Sequence, residues 1–274
     1  MTAVHQPLPS PARSTPPSRV RRTLTLAAAE TRLLVRNRTA LVNSVLLPLL
    51  LVAAVPAFGT DGDDPMGPQL LVAAVGITLV FLTYYNLVTT FVARREDLVL
   101  QRMRTGELTE AEVLLGTAAP TLLVTVGQVV LVAAGTVAIG EWAAPVDVVL
   151  PLLALVGGVA LMLLLAIVST SFTRTPESAQ ITTLPVVMAT TALSGLLFPL
   201  SALPEQLAEV ARYLPLTPVV ELAQLGLAGL TWDGTEVDTA GAWAAAPLPL
   251  AVLGAWLVAA ALVAPRVFRW APRR

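Results

Sequence analysis

The sequence predicts an all-α integral membrane protein. It has six transmembrane helices and an N-terminal interfacial helix before the first. A short cytoplasmic helix lies between the second and third, and short re-entrant helices precede the last. Three observations predict it. Charged residues make up 13% of the 274 positions and hydrophobic ones 55%, with a mean hydropathy of +0.76. A soluble domain carries roughly 25% charged residues and could not cover its surface with so few. Several uncharged stretches run for about 20 residues, enough at ~1.5 Å per residue to cross a hydrocarbon layer ~30 Å thick. Finally, sixteen of the seventeen arginines fall on one side of the resulting topology.

The elements follow in order. Residues 1–21 hold Pro7, Pro9, Pro11, Pro16 and Pro17 among Ser, Thr and Arg. That mixture cannot bury a core and predicts a disordered cytoplasmic tail. A cleaved secretory signal is the rival reading, but the apolar run after the basic stretch starts late and more spans follow it. Residues 22–38 pattern as an amphipathic helix: Leu26, Leu33 and Leu34 share a face, while Glu30, Arg32, Arg36 and Arg38 are polar. Basic amphipathic segments of this kind lie in the membrane interface; a solvated helical stub is the alternative. The spans are placed at about 40–58, 69–93, 117–139, 148–172, 179–199 and 247–264, with 266–274 a cytoplasmic C-terminal tail. Pro48 and Pro185 are candidate kinks, tolerable where neighbouring helices satisfy the freed backbone.

Arginine placement orients the chain. Arg13, Arg19, Arg21, Arg22, Arg32, Arg36 and Arg38 precede the first span, and Arg94, Arg95, Arg102 and Arg104 follow the second. Arg174 sits in the turn after the fourth, and Arg266, Arg269, Arg273 and Arg274 follow the sixth. Arg212 alone lies on the other side. The positive-inside rule therefore makes both termini cytoplasmic. Asp61, Asp63, Asp64, Asp233, Glu236 and Asp238 fall in outside loops, where solvated charges are the simplest reading and a cation site the weaker one.

The segment from Arg94 to Glu112 is the most charged. Gly106 suits a helix C-terminus, and Thr109 with Glu112 fits a capping box before Val113. A helix therefore continues out of span two, breaks near Gly106, and a new helix enters span three. The knuckle so formed shows both charge signs and exposes Leu98, Leu100 and Met103. It suits docking into a partner's groove, or it is an ordinary loop whose arginines fix topology.

Within the spans, Tyr84, Tyr85, Asn86, Thr89 and Gln128 line a route for an amphipathic molecule, or they join helices by hydrogen bonds. Thr182, Thr183, Thr190, Thr191 and Ser194 favour close packing. No span carries a charge at its middle, which disfavours an ion-coupled carrier and an intramembrane protease. Residues 199–230 are too apolar for a solvated loop, yet proline interrupts them. Two short helices dipping into the outer leaflet fit best, with Glu221 near headgroup level; a distorted seventh span is the alternative. Cysteine is absent and His5 is the one histidine, so thiolate chemistry, a His-based metal site and a Ser-His-Asp triad have no material. Lysine is absent too, so the phosphate-binding G-x-x-x-x-G-K-[ST] loop is not present.

The order of these features resembles the ABC type-2 permease family, the membrane subunits of ATP-binding-cassette exporters, over about residues 22–265. The resemblance rests on Glu30 and Arg36 in the entry helix, Arg102-Met103-Arg104-Thr105-Gly106 in the knuckle, and Leu193-Ser194-Gly195 with Pro199 at the exit from span five. It also rests on Leu203-Pro204 followed by Tyr213-Leu214-Pro215-Leu216-Thr217-Pro218. Within the family the chain looks most like drug- or polyketide-exporter permeases of the daunorubicin-exporter kind, with the drug efflux and antibiotic resistance that this implies.

The resemblance implies a multi-pass protein of a bacterial cell membrane that is not an enzyme. Two copies, or two related permeases, would pair with two copies of a separate ATPase, which binds ATP and Mg; no cofactor or metal would sit on this chain. The knuckle would be the coupling helix, with Glu96, Arg102, Arg104, Gly106 and Glu107 at the ATPase contact and Glu30, Arg32 and Arg36 flanking it. The other partners would be membrane lipid and an amphipathic small-molecule cargo, not nucleic acid. A membrane scaffold that works without an ATPase is the alternative from another class.

Overall fold

The computed structural model describes residues 18–54, 66–104, 108–196, 200 and 203–271. Helix α1 is Arg19–Arg36 and α2 is Arg38–Ala54. Helix α3, Gly67–Glu96, is 30 residues long and contains a π-helical stretch at Thr78–Tyr85. Helix α4 is Val99–Arg104, α5 Glu110–Ala138, α6 Val149–Thr170 and α7 Ala179–Leu193. Helices α8 (Glu205–Ala211), α9 (Thr217–Leu227), α10 (Thr239–Ala245) and α11 (Pro247–Val267) complete the order. Among the described residues the β structure is one isolated bridge, Leu230 to Glu236.

Among the described residues four helices, α3, α5, α6 and α11, are long and apolar enough to cross a membrane. The six expected spans therefore divide. The second, third, fourth and sixth correspond to these four. The first appears as α2, described as far as Ala54, and the fifth as α7, whose 15 residues are short for a full crossing. Helix α7 stops at Leu193 rather than near 199, and Gly195 just beyond it takes φ +78°, a left-handed conformation that glycine adopts without a Cβ clash. Helix α1 begins at Arg19 with the Ser18 hydroxyl accepting from Arg21 N–H, so it takes in the last residues assigned to the tail. The rest of that tail and the turn with Asp61, Asp63 and Asp64 lie outside the described residues.

Helix α3 is the axle of the bundle. Its apolar stretch is 83% buried, against 22% for α5 and α11. It is apolar all round because helices α2, α5, α6 and α9 pack about it. The other long helices turn apolar side chains outward, including Leu123 and Val130 on α5, Val156 on α6 and Val258 and Leu262 on α11. Water does not tolerate such faces over this extent; lipid does.

Loop contacts sort the bundle into two ends. At the first, Glu30 of α1 pairs with Arg94 of α3, Arg22 meets Glu112 at 3.6 Å, and Arg95 reaches the α6–α7 turn. At the second, Met66 N–H donates to Glu141, Trp243 to Asp147, and Arg212 lies 4.6 Å over the Trp232 ring. We call these the arginine end and the tryptophan end.

The region expected to hold two short dipping helices contains α8 and α9. The Thr217 hydroxyl donates to Ala211 O across the break between them. Helix α9 packs on α3, α6 and α11, and the side chains from Thr217 to Ala223 are all buried.

Candidate functional site

Helix α1 stands against the first turns of α5. Arg22 lies opposite Glu112, and Leu26 sits over Gly116 so closely that a Cβ there would come within 2.5 Å of its side chain. The inward stripe Leu26, Glu30 and Leu34 follows helical spacing, and it delivers the Glu30 carboxylate, 5% exposed, to Arg94. Thr109 and Glu112 form the expected capping box at the start of α5, with the Thr109 hydroxyl accepting from Glu112 N–H and the Glu112 carboxylate accepting from Thr109 N–H.

Adjacent arginines in the last turn of α3 point apart. Arg94 turns to α1, whereas Arg95, 1% exposed, donates to Thr170 O at 2.8 Å, Thr173 O at 2.6 Å and Arg174 O at 3.2 Å. The Thr170 carbonyl is at the C-terminal end of α6, where the last carbonyls lack helical partners and carry the negative end of the helix dipole, and the other two lie in the turn that follows. Sequence reasoning counted Arg95 only as a topology signal. Its partners lie 75 to 79 residues away, so no local pattern announces it.

Between α3 and α4 the chain turns through Leu98, a non-glycine residue at φ +59°. Glu96 and Arg102 are exposed, and so are Arg32 and Arg36 on the outer side of α1. Arg104 ends α4. Gly106 and Glu107 lie outside the described residues, as does the expected helix break. The expectation that Leu100 is exposed is corrected: it is fully buried, because the turn at Leu98 rolls that face of α4 against the bundle. Leu98 itself is 39% exposed. Of the residues expected at a partner contact, Glu30 thus faces into the bundle, while Glu96, Arg102, Arg32 and Arg36 face out.

The five span residues do not converge on one cavity. The Tyr84 hydroxyl and the Ser169 hydroxyl share a hydrogen bond of 2.9 Å. Gln128 donates to Val45 O at 2.7 Å, joining α5 to α2. Thr89 donates back to Tyr85 O, and both are half-buried. Asn86 lines a cleft of about 330 Å³ between α1, α3 and α5. Arg94, Thr90, Asn86 and Leu82 form one wall, Glu30, Leu33 and Leu34 another, and Thr117, Thr121 and Val124 a third. The Thr117 hydroxyl is buried with no hydrogen-bond partner. Sequence reasoning missed Thr117 and Thr121. The i, i+4 spacing of Thr117, Thr121 and Thr125 marked a polar stripe on span three, although Thr125 bonds to Thr83 instead of reaching the cleft.

Among the described residues no group of His, Cys, Asp or Glu could hold a metal ion. The carboxylates at the tryptophan end act locally: Asp233 accepts from Thr231 and Thr235, and Asp238 caps α10 through Gly241 N–H.

An apolar bundle of this kind, with exposed apolar faces and arginines gathered at one end, is an α-helical membrane protein. The model of the ABC-2 type transporter family matches residues 21–227. The chain therefore belongs to that family: it is a transporter membrane subunit, and such subunits generally work with an ATP-binding-cassette ATPase. No curated protein matches it.

Proposed function

We propose that this chain is the permease of an ATP-driven exporter that moves an amphipathic small molecule, such as a drug or polyketide-like metabolite, out of a bacterial cell. A separate ATPase supplies the power stroke, with ATP and Mg bound there. The family match over residues 21–227 carries the reading. Both termini lie in the cytoplasm, so the arginine end faces the ATPase. Helix α4 is the described part of the coupling element, with Glu96, Arg102, Arg104, Gly106 and Glu107 at the contact and Arg32 and Arg36 beside it. Glu30 acts from behind by fixing α1 to Arg94. The chain performs no covalent step. Nucleotide binding to the partner biases the bundle between two packings. A second permease completes the cargo route, which follows the half-buried face of Tyr85 and Thr89.

The test is substrate-stimulated ATPase activity of the reconstituted complex. Arg102→Glu or Gly106→Pro lowers it about tenfold, within the usual range of coupling energies, and leaves membrane insertion intact. Full coupling in both variants overturns the docking assignment. Consistent purification without an ATPase favours the scaffold reading.

A further inference from the structure

The cleft between α1, α3 and α5 lends the Glu30–Arg94 pair to the coupling reading, but neither that reading nor the cargo route uses the cleft itself, whose chemistry changes along its length. On α3, Arg94, Thr90 and Asn86 follow one another at one-turn spacing, and Leu82 lies beyond them. The lining passes from a guanidinium, through a hydroxyl and an amide, to a hydrocarbon side chain. At ~1.5 Å per residue that lining extends about 18 Å along the helix axis. The opposite wall descends similarly from Thr117 and Thr121 to Val124. This is the polarity profile of one phospholipid leaflet, from headgroup to acyl chain. Leu82 and Val124 give the far end of the cleft an apolar lining that a water site does not call for, while the α1 wall runs from Glu30 past Leu33 and Leu34 to Asn37. The Thr117 hydroxyl, 3% exposed, is left in this cleft without a partner, which buried hydroxyls usually have.

Charge narrows the ligand. The polar end holds one anion and one cation, Glu30 and Arg94, paired with each other. A ligand bearing a single negative charge would compete with Glu30 for the guanidinium and leave a carboxylate stranded. A headgroup with a phosphate and a primary ammonium can insert between them. Its phosphate accepts from Arg94, its ammonium donates to Glu30, and one charge-assisted contact becomes two. A quaternary ammonium carries no N–H and cannot make the second.

We propose that this cleft is a binding site for a phospholipid with a phosphoethanolamine headgroup, seated at Glu30 and Arg94 with its glycerol ester region against Thr117 and Asn86. It rests on the chain's place in the membrane and not on which compound is exported.

The test is native mass spectrometry of the full-length protein, released from detergent micelles doped with equal amounts of phosphatidylethanolamine, phosphatidylcholine and phosphatidylglycerol. The wild-type chain should retain one phosphatidylethanolamine, with about tenfold preference over the other two, the margin expected for one extra charge-assisted bond. Thr117→Val and Asn86→Leu, close in volume to the native side chains, should lower that retention about threefold or more. Glu30→Gln should erase the preference over phosphatidylglycerol while still binding lipid. Thermal melts of the variants separate lipid loss from misfolding. Equal retention of the three lipids by the wild-type chain would overturn the proposal. So would unchanged phosphatidylethanolamine retention in both folded Thr117→Val and Asn86→Leu proteins.

Discussion

At the arginine end, a cation closes the end of α6: Arg95 gathers the carbonyls of Thr170, Thr173 and Arg174. At the tryptophan end, an anion closes the other end of the same helix, because the Asp147 carboxylate accepts from Leu150 N–H at 2.7 Å and from the Trp243 indole at 3.1 Å. The two caps match the two poles of the helix dipole, negative at the C-terminus and positive at the N-terminus. The surrounding chemistry follows the same division. Two ion pairs, Arg22 with Glu112 and Arg94 with Glu30, fasten α1 at one end. At the other, backbone donors and indoles do most of the fastening: Met66 N–H to Glu141, Asp147 N–H to Gly226 O and Trp256 to Tyr213 O. The Arg212–Glu221 pair at 3.0 Å is the exception there. The charge asymmetry that orients a membrane protein can therefore also hold it together, since arginines collect where helix α6 presents its negative pole.

The largest break in this comparison comes from Arg95→Leu. It leaves three carbonyls without their donor, two of them in buried contacts. Hydrogen bonds to a charged group are worth about 1.5–3 kcal/mol each, so a loss of about 3 kcal/mol or more is expected. The unfolding midpoint in detergent, followed by tryptophan emission, measures it. Arg95→Lys recovers only part of the loss, because an ammonium is a point charge and lacks the guanidinium fork. A leucine variant that melts with the wild type would mean that the Arg95 contacts add nothing.

Asp147→Ala attacks the opposite cap and should cost about 1 kcal/mol, the usual value of an N-terminal cap. Trp243 loses its partner in the same variant, so its emission reports the damage locally. Asp147→Asn keeps an oxygen for Leu150 N–H but gives up the charge, and should fall between alanine and the wild type. Equal losses for Arg95→Leu and Asp147→Ala would say that the two ends are held equally firmly, contrary to the difference drawn here.

Legibility in the sequence follows the range of the interactions. The Thr109–Glu112 box spans three residues and was readable, as were the starts of α6 and α11 near 148 and 247. The Glu30–Arg94 pair spans 64 residues and the Arg95 bonds at least 75, so neither leaves a local trace. The π stretch Thr78–Tyr85 contains no glycine or proline to announce it. It is defined by hydrogen bonds five residues apart, which side-chain pattern does not encode, and such segments recur at functional sites. Exposure on α4 was misjudged at Leu100 for a related reason: a helix of six residues has no periodicity long enough to show which face is inward.

The smallest effect sharpens the comparison by pH. In the exposed turn at the tryptophan end, the Thr231 hydroxyl, followed by Thr235 N–H, holds the Asp233 carboxyl below its ordinary value. A carboxyl held low in the folded chain favours folding when ionised. Its contribution is complete above the ordinary carboxylate range and disappears as pH falls through the folded-state value. The unfolding midpoint of the wild type should therefore drop more steeply below about pH 4 than that of Asp233→Asn, whose amide does not titrate. The carbonyls that accept from Arg95 do not titrate either, so Arg95→Leu should shift the whole acid profile downward without removing this extra slope. Parallel acid slopes in wild type and Asp233→Asn would show that the Thr231–Thr235 turn closes without its carboxylate. The anion would then matter at the tryptophan end only where it meets α6.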